Sequence, residues 1–156
     1  MSRGFTLVEL LVTVAIVGVL ASAALPLAEL GVRRVREQQL HEALRSIRSA
    51  LDAYRQAVED GRIVQSVDRS GYPPSLKTLV EGVPDAGSPD RRHRLYFLRR
   101  IPRDPLCQDP ALADDDTWGK RDYQSTAENP QPGEQVYDVY SLAPGVGLNG
   151  IAYRNW

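Results

Sequence analysis

With 156 residues the chain is long enough for one domain plus an anchoring segment, and its 42% hydrophobic content supports a modest core. A formal net charge of −1 provides no global electrostatic attraction to nucleic acid or to an anionic lipid surface. The single cysteine, Cys107, excludes an intrachain disulfide, and two Phe with seven Tyr suit a small helix-on-sheet layer better than a large enzyme core.

In chain order the first feature is an apolar run. Between Phe5 and Leu27 the only charged residue is Glu9. An apolar helix of this length can cross a hydrocarbon core of roughly 30 Å. A carboxylate inside it costs on the order of 2.5–3.5 kcal/mol at the bilayer centre, so Glu9 is a functional candidate. An ordinary secretory signal, with Arg3 as its basic start and Ala21-Ser22-Ala23 as a small-residue cleavage site, leaves Glu9 unexplained. A simple signal anchor is a second alternative. Basic residues do not orient it, since Arg3 lies on one side and Arg33, Arg34 and Arg36 on the other.

Taken together, Gly4, Phe5, Thr6, Leu7, Glu9 and Pro26 resemble the class III signal of type IV pilins and type II secretion pseudopilins. The resemblance implies that a prepilin peptidase cuts between Gly4 and Phe5, that the new terminal Phe5 is N-methylated, and that Glu9 takes the family's fifth mature position. It also implies a single-pass anchor in the bacterial inner membrane, with the bulk of the chain in the periplasm. Gly4 and Phe5 are thus the expected processing residues, and Phe5, Glu9 and Pro26 the expected assembly residues. Physically, an ammonium at Phe5 and a carboxylate at Glu9 are each costly alone in lipid. Paired between neighbouring helices, each offsets the other's desolvation.

Beyond the apolar run, Pro26 lacks an N–H and clashes with the preceding turn, so a kink or local melting is expected there. Leu40, Leu44, Ile47, Leu51, Tyr54 and Val58 then follow at steps of four and three, on one helical face, with Arg45, Arg48, Asp52, Arg55 and Glu59 on the others. One helix over 5–60, with Gly61 as its stop, would be about 80 Å long at 1.5 Å per residue. A free-standing coiled coil is the alternative, but a globular remainder follows that needs a partner. The expected organisation is a leader over 1–4, a membrane and assembly half over 5–30, an amphipathic half over 31–60 and a head over 61–156.

Within the head, residues 75–80 read as a short helix with Ser75 as N-cap and Leu76, Leu79 and Val80 buried. Residues 82–90 read as loop, rich in Pro and Gly. Tyr96, Leu98 and Ile101 are expected to dock on the core. The stretch from Tyr96 to Pro105, YFLRRIPRDP, resembles the connector of major pseudopilins, with an insertion over 106–117 delaying Trp118-Gly119. Strands are expected over 122–126 and 136–142, with a short third one over 151–153. VYDVYSL, starting at Val136, resembles the strand before the terminal loop of the same proteins.

Candidate chemistry is sparse. Gly145 to Gly150 spells GxGxxG but has no helix after it, so a tight surface loop is the better reading. Asp114-Asp115-Asp116 reads as a solvated acidic loop rather than a cation site. No serine-hydrolase, zinc-protease or cysteine–histidine pattern is present, and His41 and His93 have no metal-ligand partners at useful spacing. The basic run Arg91, Arg92, His93, Arg94, Arg99, Arg100 and Arg103, interleaved with Tyr96 and Phe97, suits phosphate contact and stacking in composition, but reads better as inter-subunit salt bridges or a solvated face. The resemblance implies one cofactor: major pseudopilins hold calcium in the loop after the terminal strand, through Asp side chains and backbone carbonyls. Here that loop, 143–150, has no acid; Leu142 and Asn149 are the only weak calcium candidates.

The expected fold class is therefore α+β, the pilin fold, with a long N-terminal helix whose second half packs on a small antiparallel sheet. No catalytic residue and no nucleic-acid partner are expected. The resemblance implies a structural subunit of a type II secretion pseudopilus, closest to the major one. Its implied partners are like subunits, other pseudopilins, the prepilin peptidase and an inner-membrane assembly platform. The alternative is a type IV or competence pilin, which the missing disulfide and the YSL tail disfavour.

Overall fold

The computed structural model describes residues 6–66, 70–88 and 93–156, side chains excepted at 23–25. It is α+β: a helix α1 (Leu7–Glu59), a short helix α2 (Leu76–Glu81), and two two-stranded antiparallel sheets. The chain divides into two compact units, one ending at Arg36 and the other spanning Glu37–Trp156.

Both ends of α1 are built by capping chemistry. Thr6-Leu7-Val8-Glu9 forms a capping box. The Thr6 hydroxyl oxygen accepts from the Glu9 amide at 3.3 Å, and the Glu9 carboxylate accepts from the Thr6 amide at 2.9 Å and hydroxyl at 2.8 Å. At the other end Gly61 takes φ +71, the Gly61 amide donates to Val58 O and the Arg62 amide to Ala57 O. That is a complete Schellman closure, and it confirms Gly61 as the stop. The helix runs through Pro26 without interruption, so the expected local melting is not found. Pro26 removes only the bond its own N–H would make to Ser22, and strong helix on either side carries the segment through.

In the second unit the expected apolar stripe is the core. Leu40, Leu44, Ile47, Leu51 and Tyr54 are all buried, joined by Ala43, Ala50 and Ala57, and Val58 packs at the margin. Each buried Leu or Ile contributes about 1.5–3 kcal/mol relative to an exposed one. Facing them are Leu76 and Leu79 of α2, and Trp118, Val136, Val139 and Tyr153 from the C-terminal half. Ser75 caps α2 as expected, its hydroxyl accepting from the Thr78 amide at 3.4 Å, and Gly82 at φ +73 ends it.

Several sequence expectations are corrected. Residues 82–90 are not all loop: β1 (Val83–Pro84) pairs with β2 (Arg94–Leu95), Val83 opposite Leu95. That pairing, with the Phe97 and Leu98 amides both donating to Leu79 O at 3.0 Å, turns Leu95 and Phe97 toward the core and leaves Tyr96 exposed over Gly82. The strand expected over 122–126 lies earlier, as β3 (Trp118–Arg121), paired with β4 (Asp138–Ser141) in the register Trp118–Ser141 to Arg121–Asp138. Asp122 ends β3, because its carboxylate accepts from the Gln124 amide at 2.9 Å in an Asx turn. Over 151–153 there is one isolated bridge, Val146 to Ala152, followed by a 3₁₀ turn at Tyr153–Asn155. Asp114–Thr117 is also a 3₁₀ turn. Its Asp115 is buried and 3.1 Å from Lys120 Nζ, so the acidic triplet is not uniformly solvated.

Candidate functional site

The processing residues Gly4 and Phe5 lie outside the described residues, and the described chain begins at Thr6. From there to Leu20 α1 presents an apolar surface. Leu7, Val8, Leu10, Leu11, Val14, Ile16, Val17, Val19 and Leu20 are all exposed, and an 18-residue window of α1 reaches a mean hydropathy of 2.4. Its polar side chains turn back on the helix: the Thr13 hydroxyl donates to Leu10 O at 2.8 Å and the Ser22 hydroxyl to Val19 O at 2.7 Å. No donor on those two residues is left facing outward. Glu9 is the exception in charge, held at the helix start by Thr6. Its second carboxylate oxygen is not used in the capping box. The surface thus matches lipid or the apolar flank of another helix.

The second unit is fastened together by long-range polar contacts. From α1, Arg48 donates to Asp138 Oδ1 (2.8 Å), Val139 O (3.1 Å) and Trp156 O (2.6 Å), tying the helix to β4 and to the last residue. Arg121 holds the other Asp138 oxygen at 3.1 Å and lies 4.7 Å from the Tyr137 ring centre. Asp104, 1% exposed, accepts from the Ser141 hydroxyl (2.6 Å) and the Leu106 amide (2.8 Å), so the Pro-Arg-Asp-Pro turn is pinned to β4. Trp118 Nε1 donates to Pro102 O at 2.7 Å across the insertion. Arg62 meets Asp85 at 2.5 Å, which raises the guanidinium pKa and, with the Gly87 amide, lowers that of the carboxyl. Arg55 is raised likewise by hydrogen bonds to the Tyr72 hydroxyl and to Glu59.

The basic run does not act as one patch. Arg91 and Arg92 lie outside the described residues. Arg94 caps α2, donating to Gly82 O at 2.6 Å and Glu81 O at 3.3 Å. Arg103 reaches Leu112 O at 2.7 Å and also Asp109 O, closing the insertion. Arg99 and Arg100 remain exposed, and Phe97 packs edge-on to Tyr54 instead of facing outward to stack.

The calcium candidates sit at the start and near the end of the loop over 142–150. Asn149 Oδ1 accepts from the Ile151 amide at 3.0 Å, and the Leu142 side chain is exposed. Glu37, which the sequence reading did not single out, approaches this loop from α1: its carboxylate accepts from the Leu148 amide at 3.0 Å and the Tyr153 hydroxyl at 2.8 Å. Its signal in the sequence was its place three residues before Leu40, in line with the apolar stripe. A calcium ion takes six to eight oxygens, carboxylates among them; the donor set around 142–150 does not fit one. No cluster of three or more His, Cys, Asp or Glu able to hold a metal occurs among the described residues.

Comparison with known proteins gives matches at the N-terminus and along the whole chain. The Prokaryotic N-terminal methylation motif matches residues 1–25. The type II secretion system core protein G of Klebsiella pneumoniae is 31% identical over 99% of this chain and 94% of the relative. Its counterpart in Pectobacterium carotovorum subsp. carotovorum is 31% identical over 85% and 80%, and that of Vibrio cholerae serotype O1 is 28% identical over 98% and 90%. No solved structure gave a significant match. An N-terminal methylation motif leading into an apolar helix, a buried helical stripe capped by a small sheet, and end-to-end similarity to core protein G place this chain in the type II secretion system core protein G family, the major pseudopilins.

Proposed function

We propose that this chain, a non-enzymatic structural subunit of a type II secretion pseudopilus, is processed between Gly4 and Phe5 by a prepilin peptidase and N-methylated at Phe5. In this reading the apolar part of α1 holds the subunit in the bacterial inner membrane with residues 61–156 in the periplasm. Like subunits and other pseudopilins, gathered by an inner-membrane assembly platform, then stack through their apolar helices. Growth of that stack pushes folded substrates across the outer membrane.

The observation that carries the reading is the match of the methylation motif to residues 1–25 at the head of an exposed apolar helix whose lone early acid is Glu9. In the single subunit Thr6 supplies donors to Glu9. In the stack, the Phe5 ammonium of a neighbour adds to them, and the apolar surfaces of adjacent helices cover each other. Both steps favour assembly out of the bilayer without exposing a bare charge to lipid. Pro26 lies near the junction between the apolar and amphipathic halves of α1, inside the continuous helix. The competence-pilin alternative has less support, since Arg94 and Arg103 of the basic run are engaged by backbone carbonyls of the same chain.

Deletion of the coding sequence in its host, with plasmid complementation, tests this. Export of type II substrates should stop, and return with the wild-type chain but not with Glu9→Leu, while twitching and transformation continue. Intact export in the deletion strain, with loss of transformation, would favour the competence pilin.

A further inference from the structure

We propose that the C-terminal loop of this subunit is fastened to α1 by the Glu37 carboxylate in the place where a calcium ion would otherwise be needed, so that the head folds and holds this loop independently of calcium. The polarity of the loop runs against a cation. A cation requires oxygens turned toward one point, whereas this loop turns donors toward the helix. The Leu148 amide reaches both Glu37 oxygens, at 3.0 and 3.2 Å, and the Tyr153 hydroxyl reaches Oε1 at 2.8 Å. Glu37 is 7% exposed, and a carboxylate that deep is retained where charge-assisted hydrogen bonds offset its desolvation.

Four of the loop's own oxygens already accept hydrogen bonds within it. Gly145 O accepts from Tyr153, Gly147 O from Gly150, and Ile151 O from Gly147, while the Asn149 side-chain oxygen accepts from Ile151. No acid follows Asp138 in the chain. Asp138 itself is held by Arg48, Arg121 and the Val139 amide. Two guanidiniums beside that carboxylate oppose the approach of a divalent cation. The clasp is completed by Trp156, which stacks on His41 with ring centres 4.1 Å apart and donates from Nε1 to Ile151 O at 3.2 Å. Trp156 also lies so close over Gly147 that a Cβ there would come within 2.2 Å of its ring, so only glycine permits this closure. Glu37 and His41 are one helical turn apart on α1, and together they grip the loop at Leu148, Tyr153 and Trp156.

The test uses the full-length protein in detergent micelles, with millimolar calcium chloride or with EGTA. Two readouts are followed: thermal unfolding by tryptophan fluorescence, and the rate of chymotrypsin cleavage within 142–153. The wild type should show the same melting temperature and the same cleavage rate in both buffers, and no stoichiometric calcium binding by titration calorimetry. Glu37→Gln and Tyr153→Phe should each accelerate loop cleavage by about tenfold or more, as expected for loss of a hydrogen bond to a charged group, with no rescue by calcium. Tyr153→Phe removes a single oxygen and serves as the readout if Glu37→Gln does not fold. Stoichiometric calcium binding that raises the wild-type melting temperature, or variants whose loops remain as resistant as the wild type, would overturn the proposal.

Discussion

Replacing Asp104 by alanine tests the packing account of the head most severely. Asp104 is 1% exposed and its two oxygens serve different partners, the Leu106 amide at 2.8 Å and the Ser141 hydroxyl at 2.6 Å. Ser141 is itself fully buried, so the substitution leaves a buried hydroxyl and a backbone amide without their acceptor. A hydrogen bond to a charged group contributes about 1.5–3 kcal/mol, so loss of both should destabilise the head by about 3–5 kcal/mol. At about 1.4 kcal/mol per decade, that lowers the folding equilibrium constant by roughly two to four orders of magnitude. A domain of ordinary stability has only about 5–15 kcal/mol in all, so the variant should be marginal. Ser141→Ala keeps the Leu106 contact and should cost less, about 1–3 kcal/mol, and the two changes together should be non-additive by about 1–3 kcal/mol. Urea denaturation of the detergent-solubilised protein, followed by the fluorescence of buried Trp118, measures all three. A loss below about 1 kcal/mol for Asp104→Ala, or additive effects in the double variant, would refute the pin between the Pro-Arg-Asp-Pro turn and β4.

Other outcomes follow from single positions. Gly61→Ala should destabilise by about 1 kcal/mol or more in the same denaturation assay, because φ +71 is disfavoured once a Cβ is present. Gly119→Ala should be more damaging than Gly61→Ala, since the new Cβ would lie 2.3 Å from the Tyr140 ring and must displace a strand-borne side chain. For Asp85, Arg62 lowers the folded-state pKa below the unfolded one, so its contribution is complete above the ordinary carboxylate range and disappears as pH falls through the folded value. Asp85→Asn should therefore reduce the acid-side slope of stability against pH and leave the neutral-to-alkaline slope unchanged. Arg48→Lys should loosen the C-terminal residues, since an ammonium cannot span Asp138, Val139 O and Trp156 O at once; hydrogen exchange at 153–156 reads this out.

What the sequence made legible follows from how each element is specified. The α1 stripe from Leu40 to Val58 was readable because six apolar residues at helical spacing leave one face to bury, and the structure buries that face. Gly61 and Ser75 were readable because capping is local chemistry. The sheets were harder to place. β1 and β2 are two residues each, too short for any period, and Pro84 argues against a strand. β3 was misplaced by four residues at its start because Asp122 ends the pairing through its own side chain, a turn signal that outweighs the strand-like Tyr123 and Thr126 beyond it. Glu37, Asp104 and Asp115 were missed as buried acids, because a charged residue reads as solvated until its partners are known. Those partners lie far along the chain for Glu37 and Asp104, at Leu148 and Tyr153 and at Ser141. For Glu9 the reverse held. The sequence showed that an acid in the apolar run needed a reason, and Thr6 supplies the local part of it.

The most direct measurement is the intact mass of the protein extracted from membranes of host cells with and without their prepilin peptidase. The account predicts a chain that lacks residues 1–4 and carries one added methyl at Phe5 when the peptidase is present, and the full-length chain when it is absent. A full-length mass in both strains would contradict processing at Gly4 and leave a plain membrane anchor, with Glu9 serving only the start of its helix.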